Sequence, residues 1–312
     1  MTRLRSVVFA YHSTGVACLE ELLATGDEVG LVVTHADRRD ENVWWPSVGE
    51  LARRRGVALL EDADVRSSDL ALRLRALTPD FLFSFMFRTL LPGELLEIPR
   101  LGALNLHPSA LPKYRGRSPL NWVLVHGEAE TGVTLHYMVE KPDRGDVVAQ
   151  RRFPIGEHDT ALSLHRRATE EARALFREIY PRLRDGRAPR MPQDQSQASY
   201  YGGRTPEDGR VDWRWSARRI YDLLRAVTHP YPGAFTMHAG HRLFLWWGRP
   251  EENRLDLLPG RLEVAVDGIR VGTGRGALHL ERVQVEGKPE SAAQEWATAV
   301  GAQSGHQLGE CV

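Results

Sequence analysis

An amide and an imidazole two residues apart are the side chains of this sequence best suited to stabilising an oxyanion and moving a proton. They are Asn105 and His107, in the run Asn105-Leu106-His107-Pro108-Ser109. The run follows a short apolar stretch that reads as a strand, and in a strand residues two apart share a face. The two polar groups would then converge on one point. Such a pair suits acyl-type transfer, in which an amine attacks a carbonyl carbon, the amide stabilises the resulting oxyanion and the imidazole handles the proton. Asp143, in the turn Pro142-Asp143-Arg144-Gly145, is the candidate to orient His107 and favour its imidazolium. Taken alone, an Asn-x-His at a strand end is more often a capping group than a catalytic pair, so residue type and spacing leave both readings open.

Other reactive-looking residues carry less. The turn Tyr11-His12-Ser13-Thr14-Gly15 has one glycine and fails the dinucleotide-binding pattern, and Gly272 to Gly276 reads as a hairpin turn between strands. His35, His126, His136, His165 and His229 show no ligand spacing, which predicts no metal site. Of the two cysteines, Cys18 sits in a helical stretch and reads as a core residue, and Cys311 lies at the chain end, so no disulfide framework is expected. The aromatic pair in Trp44-Trp45-Pro46 fits packing against a sheet and lining a ligand site equally well. Pro230-Tyr231-Pro232-Gly233 reads as a turn.

The elements that must position these residues follow from periodicity. Strand candidates Ser6 to Tyr11, Val29 to His35, Val57 to Leu60, Phe81 to Phe85 and Ala103 to His107 alternate with helices at Val16 to Ala24, Ser47 to Arg55 and Ser68 to Leu77. This is the rhythm of an α/β fold with a parallel sheet, which places ligand groups at the carboxyl ends of its strands. Strands at Val133 to Met138 and Val147 to Phe153, then a long helix from Leu162 to Leu183, complete a first domain over residues 1–191. Residues 192–210, rich in Gln, Ser, Gly and Pro, read as a linker. Residues 211–312 hold one helix, Ala217 to Val227, and five short strands joined by tight turns, which suggests a small antiparallel barrel. After Trp296 the pattern is weak, and fraying is expected.

The whole chain of 312 residues carries 41 basic and 41 acidic side chains, so its net charge recruits neither a polyanion nor an anionic membrane surface. No apolar run approaches the roughly 20 residues needed to cross a bilayer, and no secretory leader is evident at the start, so a cytoplasmic location is expected.

Taken together, the Asn105-x-His107 pair, the following Leu111-Pro112-Lys113-Tyr114-Arg115-Gly116 segment and Asp143 before Gly145 resemble the folate-dependent formyltransferase family. The resemblance runs from Ser6 to about Val283 and includes Thr131-Gly132-Val133-Thr134 and Pro259-Gly260. It implies a Rossmann-like N-terminal domain with a smaller OB-like barrel, and N10-formyltetrahydrofolate as formyl donor. It also implies roles: Asn105 as oxyanion stabiliser, His107 as proton donor, Asp143 as its support. Donor contacts would come from Thr89, Leu90, Leu91, Arg117 and the turn Val139, Glu140, Lys141, Pro142 and Asp143. Further matches, at Phe9-Ala10-Tyr11-His12, Thr34-His35-Ala36-Asp37, Ser118 to Val125 and Arg204-Thr205-Pro206, are similar to the formyltransferase domain of bifunctional members that act on UDP-4-amino-4-deoxy-L-arabinose, on the route to lipid A modification. They imply a sugar-nucleotide acceptor. Unlike those members, this chain is expected to carry no second, decarboxylating domain.

Two alternatives are weighed. A methionyl-tRNA formyltransferase would need a basic acceptor surface, whereas residues 205–312 carry 13 Lys and Arg against 14 Asp and Glu, so no nucleic-acid partner is expected. A non-catalytic folate or sugar-nucleotide binding protein would tolerate loss of Asn105, His107 or Asp143, and all three are present. The identity of the amino sugar and the oligomeric state, a homo-oligomer included, stay open.

Overall fold

The computed structural model describes residues 3–38 and 41–309; Cys311 lies outside them. Apolar and amphipathic runs alternate from the start as β1 (Arg5–Ala10), α1 (His12–Ala24), β2 (Glu28–Thr34), α2 (Val48–Arg54), β3 (Leu59–Glu61) and α3 (Ser68–Leu77). Ser47 and Ser67 begin α2 and α3 by accepting a first-turn backbone N–H, which satisfies a donor the helix itself cannot. The chain continues through β4 (Phe81–Phe85), a short α4 (Gly93–Leu96), β5 (Gly102–His107), β6 (Arg115–Gly116) and α5 (Pro119–Val125). Then come β7 (Glu130–Tyr137), β8 (Val147–Pro154), the 24-residue α6 (Ala161–Arg184) and β9 (Tyr200–Tyr201).

The main sheet has seven strands in the order β3-β2-β1-β4-β5-β7-β8. The first five are parallel, while β7 runs antiparallel to β5 and β8 to β7. Strand order reverses between β1 and β4, the place where open sheets of this kind bind ligands beyond their carboxyl ends. Phe83 and Phe85 meet Phe176 of α6 edge-on at 5.3 Å each. On the other face Val7, Phe9, Leu31, Val33 and Leu82 pack with Leu70, Ala71 and Leu74 of α3. Burial on both faces is why these strands read as continuous apolar runs; each such side chain contributes about 1.5–3 kcal/mol. Cys18 is wholly buried, and burial pushes its thiol up, so it is a packing residue.

By its contacts the chain divides into two compact units. The first comprises Met1–Pro119, Glu130–Pro154 and His165–Gly202; the second comprises Leu120–Ala129, Ile155–Leu164 and Gly203–Val312. The second unit contains α7 (Ala217–Val227), β10 (Ala234–His238), β11 (His241–Glu251), β12 (Leu262–Ala265), β13 (Gly268–Gly272), β14 (Ala277–Val285), β15 (Ser291–Ala292) and α8 (Ala293–Val300). Its antiparallel sheet runs β10-β11-β14-β13-β12, with β15 on β14. Ser216 caps α7, whose Ile220, Leu223 and Leu224 are buried. Among the described residues, the expected fraying after Trp296 is not seen up to Gly309. Leu262 N–H donates to His306 O at 2.9 Å, Leu308 N–H to Gly260 O at 2.8 Å and Gly309 N–H to Met237 O at 2.9 Å, and Leu308 is buried. Backbone bonds to distant strands hold this tail, and local periodicity carries no trace of them. Among the described residues no helix is long and apolar enough to cross a membrane.

Candidate active site

Strand register brings the reactive residues together. β4 and β7 flank β5, with Ser84 beside Asn105 on one side and His136 beside it on the other. Alternation along β5 turns Ala103, Asn105 and His107 to one face. Over this face the turn after β7 returns Asp143, whose Oδ1 lies 3.5 Å from His107 Nδ1 and 3.6 Å from His136 Nε2. Both distances are charge contacts rather than full hydrogen bonds. Asp143 Oδ2 accepts the Gly116 N–H at 2.8 Å. The Asn105, His107 and Asp143 expected from sequence therefore stand at one place.

Carbonyl oxygens fix the ring orientations, because a carbonyl can only accept. His136 Nδ1 donates to Tyr137 O at 2.9 Å, and its Nε2 faces both Asn105 Nδ2 at 3.2 Å and Asp143 Oδ1 at 3.6 Å. That contact holds the Asn105 amide beside the two rings. His107 Nε2 donates to Tyr114 O at 2.8 Å, which leaves Nδ1 toward Asp143. Both imidazoles are buried, His107 at 4 % exposure and His136 at 1 %. Burial alone would raise the Asp143 carboxyl, but the His107 charge, the His136 ring and the Gly116 N–H outweigh it and hold the group well below the usual carboxylate range. A buried acid that stays ionised between two imidazoles is a strong local field.

His136 is the site residue that sequence reasoning passed over as one of several histidines without ligand spacing. The signal that finds it is register: pairing β7 antiparallel to β5 puts residue 136 opposite residue 105.

The remaining expected residues are located by the elements they follow. Thr89, Leu90 and Leu91 follow the carboxyl end of β4, and Val139, Glu140, Lys141 and Pro142 follow β7 and lead to Asp143. Leu91 and Met138 pack on the same core cluster, which contains Ala103 of β5, so both segments lie over the face that carries Asn105. Leu90 and Val139 expose apolar side chains, at 71 % and 47 %. Arg117 is exposed and tied through its backbone N–H to Tyr201 O at 2.9 Å.

At the carboxyl end of β1 the Trp44-Trp45 pair does not stand open. Trp45 stacks on His12 with ring centroids 4.2 Å apart, and His165 lies 4.3 Å from the same imidazole. Among the described residues, His12 Nδ1, both His165 nitrogens and Trp45 Nε1 are buried without a hydrogen-bond partner. Burial lowers both imidazoles, His12 to about 2 and His165 to about 4, so both are neutral near pH 7.

Comparison with known proteins places the fold. The chain resembles a sugar 3N-formyl transferase, WlaRD, solved in the presence of dTDP and 5-N-formyl-THF, at 16 % identity and TM-score 0.71 over 93 % of this chain and 100 % of that one. It resembles an N-formyltransferase from Helicobacter canadensis, solved with folinic acid and dTDP-3-aminofucose, at 18 % identity and TM-score 0.70 over 89 % and 99 %. A variant of HypX from Aquifex aeolicus matches at 20 % identity and TM-score 0.65, over 98 % of this chain and 49 % of HypX, so the chain spans about half of that protein's length. At these identities the likeness is one of fold. Residues 13–179 match the family model for formyl transferases, and residues 204–301 match the model for the formyl transferase C-terminal domain. With more than half its length matched in that way, and with an amide, two imidazoles and a carboxylate gathered at the face of β5, the chain belongs to the formyl transferase family.

Proposed function

We propose that this chain transfers a formyl group from N10-formyltetrahydrofolate to the amine of a nucleotide-linked amino sugar. The observation that carries the reading is the convergence of His107 and His136 on one Asp143 oxygen, with the Asn105 amide locked beside them. The donor supplies the formyl carbon. The donor segments fit such a molecule in character, because exposed Leu90 and Val139 offer apolar surface to a flat heteroaromatic ring and Arg117 offers charge to its acidic tail. Asn105 would direct an amide N–H at the developing oxyanion, the group most responsive to a fixed donor. His107 would move the proton, with Asp143 holding its ring in place. In the resting arrangement His107 Nε2 is committed to Tyr114 O, so that nitrogen becomes a donor to substrate only by exchanging the carbonyl for it.

For the acceptor, the stretches shared with enzymes of UDP-4-amino-4-deoxy-L-arabinose formylation support that sugar nucleotide, in a role belonging to lipid A modification. A second reading has its own support: two fold relatives were solved with dTDP or a dTDP-linked 3-amino sugar, so a dTDP-linked 3-amino sugar is the competitor. Specificity of this sort rests on polar groups that reject an acceptor leaving them unpaired. Incubation with the donor and a panel of UDP-4-amino, dTDP-3-amino and dTDP-4-amino sugars, with formylated product detected by mass, decides between them. The UDP-linked 4-amino sugar should be formylated with a kcat/KM at least roughly 100-fold above the others. Equal rates would remove the acceptor assignment, and no formylation of any amine would remove the reaction.

A further inference from the structure

Gln193 makes four hydrogen bonds that exhaust its amide. Its Nε2 donates to the carbonyls of Asp143 at 2.9 Å and Gly145 at 2.7 Å. Its Oε1 accepts from Arg115 Nε at 3.2 Å and Nη2 at 2.6 Å. Two hydrogens given and two lone pairs filled is the full capacity of a glutamine side chain. The network lies inside the protein, with Gln193 at 9 % and Arg115 at 2 % exposure. Arg115 spends its Nη1 on Gln195 Oε1 at 2.9 Å, and Gln195 Nε2 returns a bond to Gln193 O at 3.1 Å.

These bonds matter because of what stands at either end. Asp143 has φ +58°, a left-handed conformation that costs an L-residue about 1–2 kcal/mol, so the turn needs outside bonds to stay in it. Its side chain is held by Gly116 N–H, and its main chain is held by Gln193, which in turn is held by Arg115. Both grips therefore end on the same two residues, Arg115 and Gly116. That two-residue segment is itself paired with Tyr200 and Tyr201. The mutual bonds of Met191 and Val147, at 2.8 and 2.9 Å, bring residue 193 to the mouth of the Asp143 turn.

We infer that Gln193 is a positioning residue for the transfer reaction, coupling the Asp143 turn to the Arg115-Gly116 segment and so setting how far the Asp143 carboxylate stands from the His107 and His136 rings. It rests on the functional reading above, and Gln193 acts on the reaction only through Asp143. Gln193→Glu and Gln193→Met separate positioning from simple packing. Glutamate still accepts from Arg115, now as an ion pair, but has no hydrogens for the two carbonyls. Methionine keeps the volume and loses both sets of bonds. Exposed Gln197 provides the control, as Gln197→Met.

Both Gln193 variants should lose roughly 100-fold in kcat at saturating substrates, the cost of a displacement of about 1 Å at a reacting centre. The KM for the acceptor should stay within about threefold, since an interaction felt only in the transition state leaves ground-state binding alone, whereas the donor's KM can move with the turn that contacts it. In protein labelled with ¹⁵N-histidine, the ring nitrogen signals of His107 and His136 should shift in both variants and stay put in Gln197→Met. Wild-type kcat in Gln193→Glu overturns the inference, because pairing Arg115 would then be the whole role. So does a rise in KM at constant kcat, or unmoved ring signals. Should the methionine variant fail to fold, the glutamate variant decides alone. If the wild-type protein formylates no amine, the functional reading falls by itself, and the ring signals still settle whether Gln193 sets the histidine–aspartate geometry.

Discussion

Three side chains at this centre have their freedom removed by a neighbour, and that is what makes their roles separable. Asp143 is held ionised by His107, His136 and Gly116 N–H against the cost of burial, so Asp143→Asn keeps the shape and deletes the field. Turnover should fall about 10²- to 10⁴-fold, the range for general acid–base groups, and His107→Ala should do the same with an unchanged circular dichroism spectrum. Near wild-type turnover in either would refute the proposed roles. Arg117 is exposed and, among the described residues, bonded only through its backbone, so Arg117→Ala should raise the donor's KM and spare kcat; loss of turnover at saturating donor would move it to the transition state. His136 fixes the Asn105 amide through one 3.2 Å bond. His136→Phe lets that amide turn, and kcat should drop about tenfold, less than the 10²- to 10³-fold typical of deleting an oxyanion donor outright, as in Asn105→Ala; steady-state rates of the two variants test the ordering. The shared face of Asn105 and His107 was readable because two-residue spacing in a strand has one geometric meaning, while their roles came from the family resemblance. His136 was unreadable by the same logic, since a lone histidine in an alternating strand looks like core until the strand is paired.

At the scale of elements, the site depends on a loop that pattern reading barely registers. β6 and β9 are two residues each, too short for any periodicity, yet they tie Gly116 to the segment after α6. Gly116 has φ +97°, and a Cβ there would stand 2.2 Å from the carbonyl oxygen of Tyr201. Backbone cannot yield as a flexible side chain could. Gly116→Ala should therefore displace the loop, pull the N–H from Asp143 and lower kcat at least tenfold, while the unfolding midpoint falls by only a few degrees, since loops open without the core. A variant with normal kcat would show that the Gly116–Asp143 bond is dispensable. The longer elements were legible to the residue where caps or periodicity bound them, as with Ser68–Leu77 behind Ser67 and Ala217–Val227 behind Ser216. Expected boundaries slipped where bonding to a distant strand decides the end. β11 runs from His241 to Glu251, well past the short apolar stretch Leu243 to Trp246, because β14 accompanies it as far as Glu251.

Considered as a whole, the molecule has balanced charge, so its response to acid should be set by a few buried groups rather than by general repulsion. The largest of these effects lies at the carboxyl end of β1. His12 and His165 are lowered from near 6.5 to about 2 and about 4, both chiefly by burial, His12 also by the nearby His165 and Arg88 charges. An unfolded chain binds protons at these two rings from about pH 6.5 downward, and the folded one does not. Stability attached to them is therefore complete above about pH 6.5 and is lost as pH falls, at up to about 1.4 kcal/mol per pH unit for each ring, until the folded groups titrate in turn. Asp143 adds a later loss: its folded carboxyl is depressed, so its contribution is present above about pH 4 and disappears below that. Two acid limbs should appear, one beginning near pH 6 from the imidazoles and one below pH 4 that includes Asp143. His165→Leu removes one ring whose two nitrogens are buried without a hydrogen-bond partner among the described residues and which stands against Trp44 and His12. Replacing an unsatisfied polar group by an apolar one of similar size is close to neutral or stabilising. Urea unfolding at pH 7.5, 6 and 5 should accordingly give a variant no less stable than wild type at pH 7.5 and clearly more stable at pH 5, with its slope against pH reduced by about half. Parallel slopes in the two proteins would mean that His165 titrates normally in the folded chain, and that the acid limb belongs to other groups.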